Sequence, residues 1–565
     1  MKQPSGSAAW FLVAMAGLLS ACAARQPRAA STTPGVDAPP TLVIVIVVDQ
    51  LSAGKLEQIG GQFHGGFRRL LEDGRRYTRC AHAHACTETG PGHATLLSGL
   101  FPSHSGIVAN EWYDRDGHHD VYCAGDERPD AGRNFDGTTA VSAAQLRGEN
   151  LADLIKRSNP ASKIYTVAGK DRSAILTGGH HPDGVFWYSL TTGGFTSNPG
   201  LAGELPAWGG DFWGPDPTST AFYEQNVPPE WSYPVRPGWG PDDAPGENLT
   251  YSRVSPHPLT RIDPSLVKPS DRVSTIARRV FTSPWVDRMS LEIAGRILQH
   301  ADLGTDDAVD LLVVGLSGVD VVGHSYGPDS QEYLDALIRI DGWLGELMDA
   351  AVPRGRVLFA LSADHGVLPL PETIPGARRI DDSKLKERLE KGIASRLGRQ
   401  AEGPFVEAML GGDVYLDRRV LTRLGVSTEA AVEAARAELM TWSEVAHVYR
   451  GSELRAASPG DPFMGLYRNS YDPARSGDLV MQPCEKCLFT TRSYGTSHGT
   501  PYQYDRDVPM ILLGSGIPAG EDSAECRSVD LAPTIASQIG LVFDAPRDGR
   551  SLLAARAVDR VAPGK

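Results

Sequence analysis

Continuous apolar runs mark the strongest predicted strands. The run Thr41–Val48 is almost entirely β-branched or aliphatic, which is typical of a strand buried on both faces of a parallel sheet. Four other runs predict strands: Lys163–Val167, Asp310–Leu316, Arg356–Leu361 and Val508–Leu513. Helical patterns lie between them, at Gly66–Glu72, Ala94–Gly99, Asn150–Arg157, Val286–His300, Ser330–Ala350 and Asp530–Ile539. Strands that alternate with helices predict a doubly wound α/β fold with a mostly parallel central sheet.

Two stretches interrupt this alternation. Residues from about 180 to 280 are rich in Trp, Pro and Gly, and their aromatic residues predict an ordered, loop-rich cap (Trp187, Trp208, Trp213, Trp231 and Trp239). Residues from about 370 to 490 form a second insertion, with a helix predicted near Glu429–Thr441 and strands near Asp413–Leu416 and Glu444–Tyr449. We therefore expect one domain over 41–545 that carries both insertions, followed by a tail at 546–565.

The N-terminus has the features of a targeting segment. After Lys2, an apolar run from Ala8 to Leu19 is too short to span a bilayer comfortably, and it ends in Leu-Ser-Ala-Cys22. Small residues before a cysteine resemble the lipobox of bacterial lipoproteins. This predicts a signal peptide at 1–21, a lipidated Cys22 that anchors the protein to a membrane, and a flexible tether at 22–40. Ordinary cleavage near Ala24 is the alternative; either way we expect export to the periplasm or the outer membrane of a bacterium.

Charge and cysteine content narrow the function. A formal net charge of −14 disfavours a nucleic-acid partner, because phosphate backbones need a basic surface. It leaves small phosphorylated substrates open. The even number of cysteines after residue 22 predicts three disulfides in an exported chain. They are Cys80, Cys86, Cys123, Cys484, Cys487 and Cys526. Cys484 and Cys487 are expected to form a local disulfide, although a CxxC pair can also bind a metal.

Three aspartates follow predicted strands. Asp49, Asp320 and Asp364 come directly or shortly after strand ends, where ligands bind in open α/β sheets. A lone aspartate at such a position is more often a turn or capping residue. Histidines accompany these aspartates at His324, His365 and His498. Mixed Asp and His ligands suit zinc, and five or six of them suit two ions about 4 Å apart, as used in phosphoryl transfer.

Thr89 is the candidate nucleophile. It precedes Gly-Pro-Gly-His93 and an apolar run, so it is expected near the N-terminus of a helix, where a phosphate group is favoured. On its own this pattern indicates only a helix cap. A neighbouring divalent ion would lower the pKa of the hydroxyl and make it a nucleophile.

The order of these motifs resembles the alkaline phosphatase superfamily, and in particular its type I phosphodiesterase and nucleotide pyrophosphatase branch, from about residue 41 to 545. The resemblance implies two zinc ions. One would be held by Asp320, His324 and His498 on the leaving-group side, and the other by Asp49, Asp364, His365 and the Thr89 oxygen. The sequence leaves open whether calcium or magnesium occupies a further site, and it leaves the oligomeric state open.

A cationic pair indicates the substrate. Asn110, about twenty residues after Thr89, is shared by monoesterases and diesterases of the branch. Lys170 and Arg172 resemble the phosphate-binding pair of the threonine-dependent alkaline phosphatases, and two cations suit a monoester dianion. The resemblance implies hydrolysis of phosphate monoesters through a phosphothreonine.

Other activities predict other features. The nearest alternative is a nucleotide pyrophosphatase or phosphodiesterase on the same metals. A sulfatase would need a Cys-x-Pro-x-Arg-type site, which the sequence lacks. Mutases of the same fold are cytoplasmic, and a non-catalytic phosphate- or glycan-binding lipoprotein would bind no zinc.

Overall fold

The central element of the fold is a nine-stranded sheet. The structure, a computed structural model, describes residues 38–214, 219–248, 252–263, 265–399, 403–456 and 461–555. In spatial order the strands are Gly520–Asp522, Arg75–Tyr77, Ile511–Gly514, Val357–Ser362, Leu42–Val48, Asp310–Leu316, Ile164–Ala168, Gly184–Tyr188 and Phe195–Thr196. The five strands from Val357–Ser362 to Gly184–Tyr188 are parallel to one another. The predicted α/β fold with a mostly parallel central sheet is confirmed.

Helices cover both faces of this sheet. Alternate residues of the strand Leu42–Val48 contribute to two separate apolar clusters, and all seven are fully buried. On one face the cluster includes residues of the helices Gly66–Asp73, Trp285–His300 and Gln331–Ala351. On the other face it includes residues of Thr89–Ser98, Leu151–Ser158 and Leu531–Gln538. A run that is apolar at every position is therefore explained by burial on both faces.

The stretch at 180–280 departs from the predicted cap. Its strands Gly184–Tyr188 and Phe195–Thr196 belong to the central sheet, and the first is buried at every position. Several of its aromatic residues, among them Tyr223 and Trp231, pack into the same core as the helix Trp285–His300. The sequence pattern missed these strands because their aromatic residues stand among glycines and prolines.

The stretch at 370–490 contains a separate sheet. Four strands, Val406–Leu410, Asp413–Leu416, Leu479–Pro483 and Val445–Arg450, lie side by side in that order. The helices Leu385–Leu397 and Thr428–Leu439 pack on them around their own apolar cluster. The tilted ring pair of Tyr113 and Tyr415, with centroids 5.6 Å apart, is one contact between this sheet and the rest of the fold.

The cysteines correct one expectation. Cys484 and Cys487 form the local disulfide. Cys80, Cys86, Cys123 and Cys526 are thiols, so the prediction of three disulfides is wrong in this structure. Cys80 and Cys526 are neighbours on paired strands, yet the Cys526 thiol contacts the Met510 sulfur, at 3.3 Å. Counting cysteines cannot reveal how the fold orients each thiol.

The predicted signal peptide, Cys22 and most of the tether lie outside the described residues, as does the tail beyond 555. None of the helices within the described ranges combines the length and apolar character needed to cross a membrane.

Candidate metal centre and nucleophile

The candidate site lies at the carboxyl edge of three adjacent parallel strands. Asp49 directly follows Leu42–Val48, and its N–H donates to Leu316 at the end of the neighbouring strand. Asp364 lies two residues past Val357–Ser362, and Asp320 is in the first turn of the helix Gly318–Tyr326. All three carboxylates are at least 98% buried. Parallel register brings the three strand ends together, as ligand-binding sheets require.

One group of candidate ligands contains Asp320, His324 and His498. Each offers an atom within 4.8 Å of the others. His324 lies one helical turn after Asp320, so both side chains are on one face, and its Nε2 is 3.2 Å from Asp320 Oδ1. His498 reaches the same carboxylate from a distant loop, at 3.5 Å. The structure thus brings together the three residues predicted for the leaving-group side.

The second group contains Asp49, Asp364 and His93, again with one atom of each within 4.8 Å. The sequence analysis predicted His365 here instead of His93. His365 Nε2 lies 3.3 Å from Asp364 Oδ2, so His365 also faces this group. His93 was missed, although it follows Thr89 by four residues and therefore shares its helix face. That spacing was the available signal.

Backbone carbonyls orient the histidines. The Nδ1 atoms of His324 and His498 each lie 2.7 Å from a carbonyl oxygen, of Thr496 and Thr87 respectively. His365 Nδ1 makes the same contact with Gly366, at 2.9 Å. If each Nδ1 carries the proton, each Nε2 presents a lone pair to the site. Metal-binding histidines are usually oriented by such a contact.

The electrostatics of the two groups fit bound cations. Both Asp49 oxygens, Asp364 Oδ2 and His365 Nε2 are buried and lack a hydrogen-bond partner among the described residues. Burial and the charge of Asp364 raise the pKa of Asp49. Burial and the neighbouring His365 lower the pKa of His498 to about 3, which keeps this imidazole neutral. Although burial opposes it, the charge of Asp364 raises the pKa of His365 to about 9, so a bound cation would have to displace that proton. Unpartnered carboxylates beside imidazoles are a donor set that zinc fits.

Thr89 is the first residue of the helix Thr89–Ser98 and is 1% exposed. The helix approaches the strand ends closely at Gly92, where a Cβ would lie 2.3 Å from the Asp364 carbonyl oxygen. Only a glycine permits this approach. The sequence predicted a helix from Ala94. The helix starts five residues earlier, at Thr89, which is one of the two positions expected for Thr89, at or just before the helix N-terminus.

Lys170 contacts the hydroxyl of Thr89, the candidate nucleophile. It precedes the helix Asp171–Gly178 at the end of the strand Ile164–Ala168. Its Nζ lies 3.3 Å from Thr89 Oγ1, 2.7 Å from Asp320 Oδ2 and 3.1 Å from Asp49 Oδ2. Although burial opposes it, the charges of Asp320 and Asp49 raise the pKa of Lys170, so it is a cation.

Arg172 and Asn110 flank Thr89 differently. Asn110 Oδ1 accepts from the Gly90 N–H at 2.8 Å, and the backbone N–H of Asn110 donates to Glu88 Oε2 at 2.6 Å. The Arg172 side chain lies beside Tyr122, Asp171 and Cys123, and although burial opposes it, these neighbours raise the pKa of Arg172. Asp171 in turn accepts from the Tyr122 hydroxyl at 2.6 Å. The structure records no direct contact between Arg172 and Thr89.

Gln50 is a further residue that the sequence analysis missed. Its side-chain Nε2 donates to Asp320 at 2.8 Å, and its backbone N–H donates to Asp364 at 3.0 Å. It therefore connects the two ligand groups. Its φ of 69° is unusual for a residue other than glycine and is a local strain of the kind found at functional sites. No sequence pattern signals such a backbone angle.

A cavity of about 370 Å³ opens beside the first ligand group. His498 and Glu88 line one side, and Met409, Tyr467 and Leu488 of the 370–490 stretch line the other.

Comparison with known proteins identifies the family. The family described as Type I phosphodiesterase / nucleotide pyrophosphatase matches residues 43–503. The chain belongs to this family. Its predicted resemblance to this branch of the alkaline phosphatase superfamily is thereby confirmed.

Relatives of the family are similar over most of the chain. Alkaline phosphatase PhoK of Sphingomonas sp. is 31% identical over 543 residues, which cover 91% of each chain. Alkaline phosphatase PafA of Elizabethkingia meningoseptica is 29% identical over 537 residues, covering 91% of this chain and 94% of PafA. The crystal structure of wild-type PafA superposes with a TM-score of 0.82 at 27% identity, covering 92% of this chain and 99% of that chain.

Proposed function

We propose that the protein is an alkaline phosphatase that hydrolyses phosphate monoesters to an alcohol and inorganic phosphate. The observation that carries this proposal is the position of Lys170, whose Nζ lies 3.3 Å from the Thr89 hydroxyl. A buried cation beside the nucleophile suits a dianionic phosphoryl group better than the singly charged group of a diester. The similar proteins named alkaline phosphatases support the same activity.

Thr89 would attack phosphorus and form a phosphothreonine, which water then hydrolyses. Two zinc ions, held by Asp320, His324 and His498 and by Asp49, Asp364, His365 and Thr89, would when bound lower the pKa of the Thr89 hydroxyl and stabilise the charge on the attacking and leaving oxygens. His93 is placed to support the second group through Asp49, at 3.4 Å.

The remaining residues would bind the phosphoryl oxygens. Lys170 supplies charge next to Thr89, and Arg172 supplies a forked cation from the same helix start. Asn110 is held beside Gly90 by its Oδ1, which leaves its amide N–H groups for a phosphoryl oxygen. The cavity beside His498 would receive the leaving alcohol. Fixed donors around a loose transition state are the main protein contribution to phosphoryl transfer.

The test is a rate comparison on the zinc-loaded protein. We expect about two zinc ions per chain and a higher kcat/KM for p-nitrophenyl phosphate than for bis-p-nitrophenyl phosphate. The reverse order would establish the alternative, a nucleotide pyrophosphatase or phosphodiesterase.

A second test addresses the nucleophile. Thr89→Ala should lower kcat by at least about 10³-fold, since removing a nucleophile removes the covalent pathway. Acid quenching of the wild type during turnover should trap phosphate on the peptide that contains Thr89. Thr95→Val is the matched control, because Thr95 is a buried threonine of the same helix. Near-normal turnover by Thr89→Ala would contradict the assignment.

We also propose export, from the predicted signal peptide and lipobox. Labelling cells with radioactive palmitate should mark the wild type and not Cys22→Ala. Label that persists in Cys22→Ala would exclude Cys22 as the anchor.

A further inference from the structure

The candidate ligand His498 lies in a stretch of chain that has no regular structure of its own. Residues 490–502 contain neither a helix nor a strand, and the short helix Gln503–Arg506 follows them. A metal-ligating side chain on such a stretch keeps its position only if other residues fix the backbone around it. One of the residues that make these contacts is a buried aspartate, Asp505.

The Asp505 carboxylate binds the chain two residues after His498. Asp505 is fully buried, and its Oδ2 accepts from the Thr500 N–H at 2.9 Å and from the Thr500 hydroxyl at 2.6 Å. One carboxylate oxygen therefore accepts two hydrogen bonds from the same residue. These two bonds fix both the backbone and the side chain of Thr500.

Thr500 in turn contacts the segment that precedes the candidate nucleophile. The Thr87 hydroxyl donates to the Thr500 carbonyl at 2.9 Å, and the Thr87 carbonyl oxygen lies 2.7 Å from His498 Nδ1. Thr87 is fully buried, so its carbonyl can orient the His498 ring only where the fold holds it. Through Thr500, Asp505 therefore supports the residue whose carbonyl orients His498.

Asp505 also contacts the second ligand group, through its backbone. Its carbonyl oxygen accepts from the Gly366 N–H at 2.7 Å, and the Gly366 carbonyl lies 2.9 Å from His365 Nδ1. The backbones approach closely here, since a Cβ at Gly366 would lie 2.2 Å from the Tyr504 carbonyl oxygen. The rings of His365 and His498 are stacked, with centroids 3.5 Å apart. The supports of both rings therefore meet at Asp505.

We propose that Asp505 is a positioning residue for the candidate metal ligands His498 and His365. Its carboxylate acts on the first ligand through Thr500, and its carbonyl acts on the second through Gly366. Removal of a residue that orients metal ligands typically weakens metal binding by about 10- to 100-fold. The proposal rests on the two-zinc site of the proposed function.

The zinc affinity of the full chain, measured by competition with a chromogenic chelator, tests this role. Asp505→Ala should bind zinc about 10- to 100-fold more weakly than the wild type. Asp505→Asn should stay within about threefold of the wild type, because an amide oxygen can accept the same two hydrogen bonds. Thr500→Val keeps only the backbone hydrogen bond and should show an intermediate loss, and it takes the place of Asp505→Ala if that variant does not fold.

Asp341→Ala is the control that separates positioning from general stability. Asp341 is 3% exposed and accepts from the backbone N–H groups of His64, Gly65 and Arg68, but it belongs to neither metal-ligand group. Denaturant unfolding of the metal-free chain should show that both alanine variants are destabilised. Only Asp505→Ala should bind zinc more weakly.

Cobalt in place of zinc gives a spectroscopic readout of the same role. The visible absorption of bound cobalt depends on the arrangement of its ligands. Asp505→Ala should therefore change this absorption, whereas Asp505→Asn and Asp341→Ala should keep the spectrum of the wild type.

Three results would overturn the proposal. The first is an Asp505→Ala variant that binds zinc as tightly as the wild type. The second is an equal loss of zinc affinity in Asp341→Ala, which would show a general effect of stability. The third is an equal loss in Asp505→Asn, which would show that the two hydrogen bonds are not the cause. A wild type that binds no zinc would instead refute the proposed function, and this role with it.

Discussion

At the scale of single residues, Gln50 connects the two groups of metal ligands, because it donates to both Asp320 and Asp364. Gln50→Ala should weaken zinc binding by about 10- to 100-fold, which is the usual effect of removing a residue that orients a metal ligand. Competition with a chromogenic chelator measures this affinity. Gln58→Ala is the control, because Gln58 is an exposed glutamine that contacts only the Lys55 side chain among the recorded hydrogen bonds. Equal zinc affinity in the two variants would contradict the role given to Gln50.

Substitution of Lys170 and Arg172 tests whether the protein prefers a doubly charged monoester over a singly charged diester. Lys170→Ala combined with Arg172→Ala should lower kcat/KM for p-nitrophenyl phosphate by about 10²–10³-fold, because a dianion loses two charged partners. The loss on bis-p-nitrophenyl phosphate should be much smaller. The surface pair Lys156→Ala and Arg157→Ala, at the end of the helix Leu151–Ser158, provides the control. Equal losses on both substrates would argue against a monoesterase.

At the scale of elements, the helix Thr89–Ser98 shows where sequence patterns stop being informative. The strand Asp310–Leu316 was predicted at its observed bounds because burial on both faces leaves a continuous apolar run. The apolar helical pattern began only at Ala94, because Gly90 and Gly92 have poor helix propensity, and the first turn was indicated by Pro91 alone. Gly92 packs closely against Asp364 and Gly90 against Cys123, and such packing joins residues far apart in sequence.

This close approach gives a prediction. Gly92→Ala should destabilise the protein by about 1–3 kcal/mol, because the new methyl group must displace the backbone at Asp364. It should also lower kcat, since Thr89 and Asp364 would move apart. Gly54→Ala is the control: Gly54 lies in the helix Ala53–Ile59 with open space around its Cβ position, so the change should stabilise by about 0.5–1 kcal/mol. Denaturant unfolding distinguishes the two, and a stable, active Gly92→Ala would refute the packing argument.

At the scale of the whole molecule, the order of the motifs along the chain was enough to predict the family. The contacts between distant parts of the chain could not be predicted from it. The motif residues are far apart along the chain, and the strand order of the central sheet brings them together at one edge: Asp49, Thr89, Asp320, Asp364 and His498. The parity of the cysteines predicted disulfides that the structure lacks.

Several buried carboxyls make stability depend on pH when metals are absent. Burial raises the pKa of Glu247 and Asp287 to about 8, and of Asp413 and Asp505 to about 7. The folded chain then holds protons that the unfolded chain, with ordinary values of 4.5 and 3.8, has lost. The contribution of these carboxyls to stability should therefore fall as pH rises from their ordinary values of 3.8 and 4.5 to about 8.

Histidines act in the opposite direction on the acid side. Burial lowers the pKa of His82 to about 4 and that of His498 to about 3, so the contribution of these two histidines to stability falls as pH drops below their ordinary value of 6.5. Above pH 6.5 these histidines are neutral in both states and only the carboxyls act, so the metal-free chain should lose stability from pH 6.5 towards pH 8.5. Bound metal replaces protons at the carboxylates and needs neutral imidazoles, so metal affinity rises with pH.

The difference in Tm between the metal-loaded and metal-free chain should therefore widen from pH 6.5 to pH 8.5. Differential scanning calorimetry at both pH values, with and without metal, measures this difference. Asp413→Asn should reduce the pH dependence of the metal-free chain, because it removes one carboxyl with a raised pKa that belongs to neither metal-ligand group. A metal-free chain that became more stable between pH 6.5 and pH 8.5 would show that these carboxyls do not control its stability.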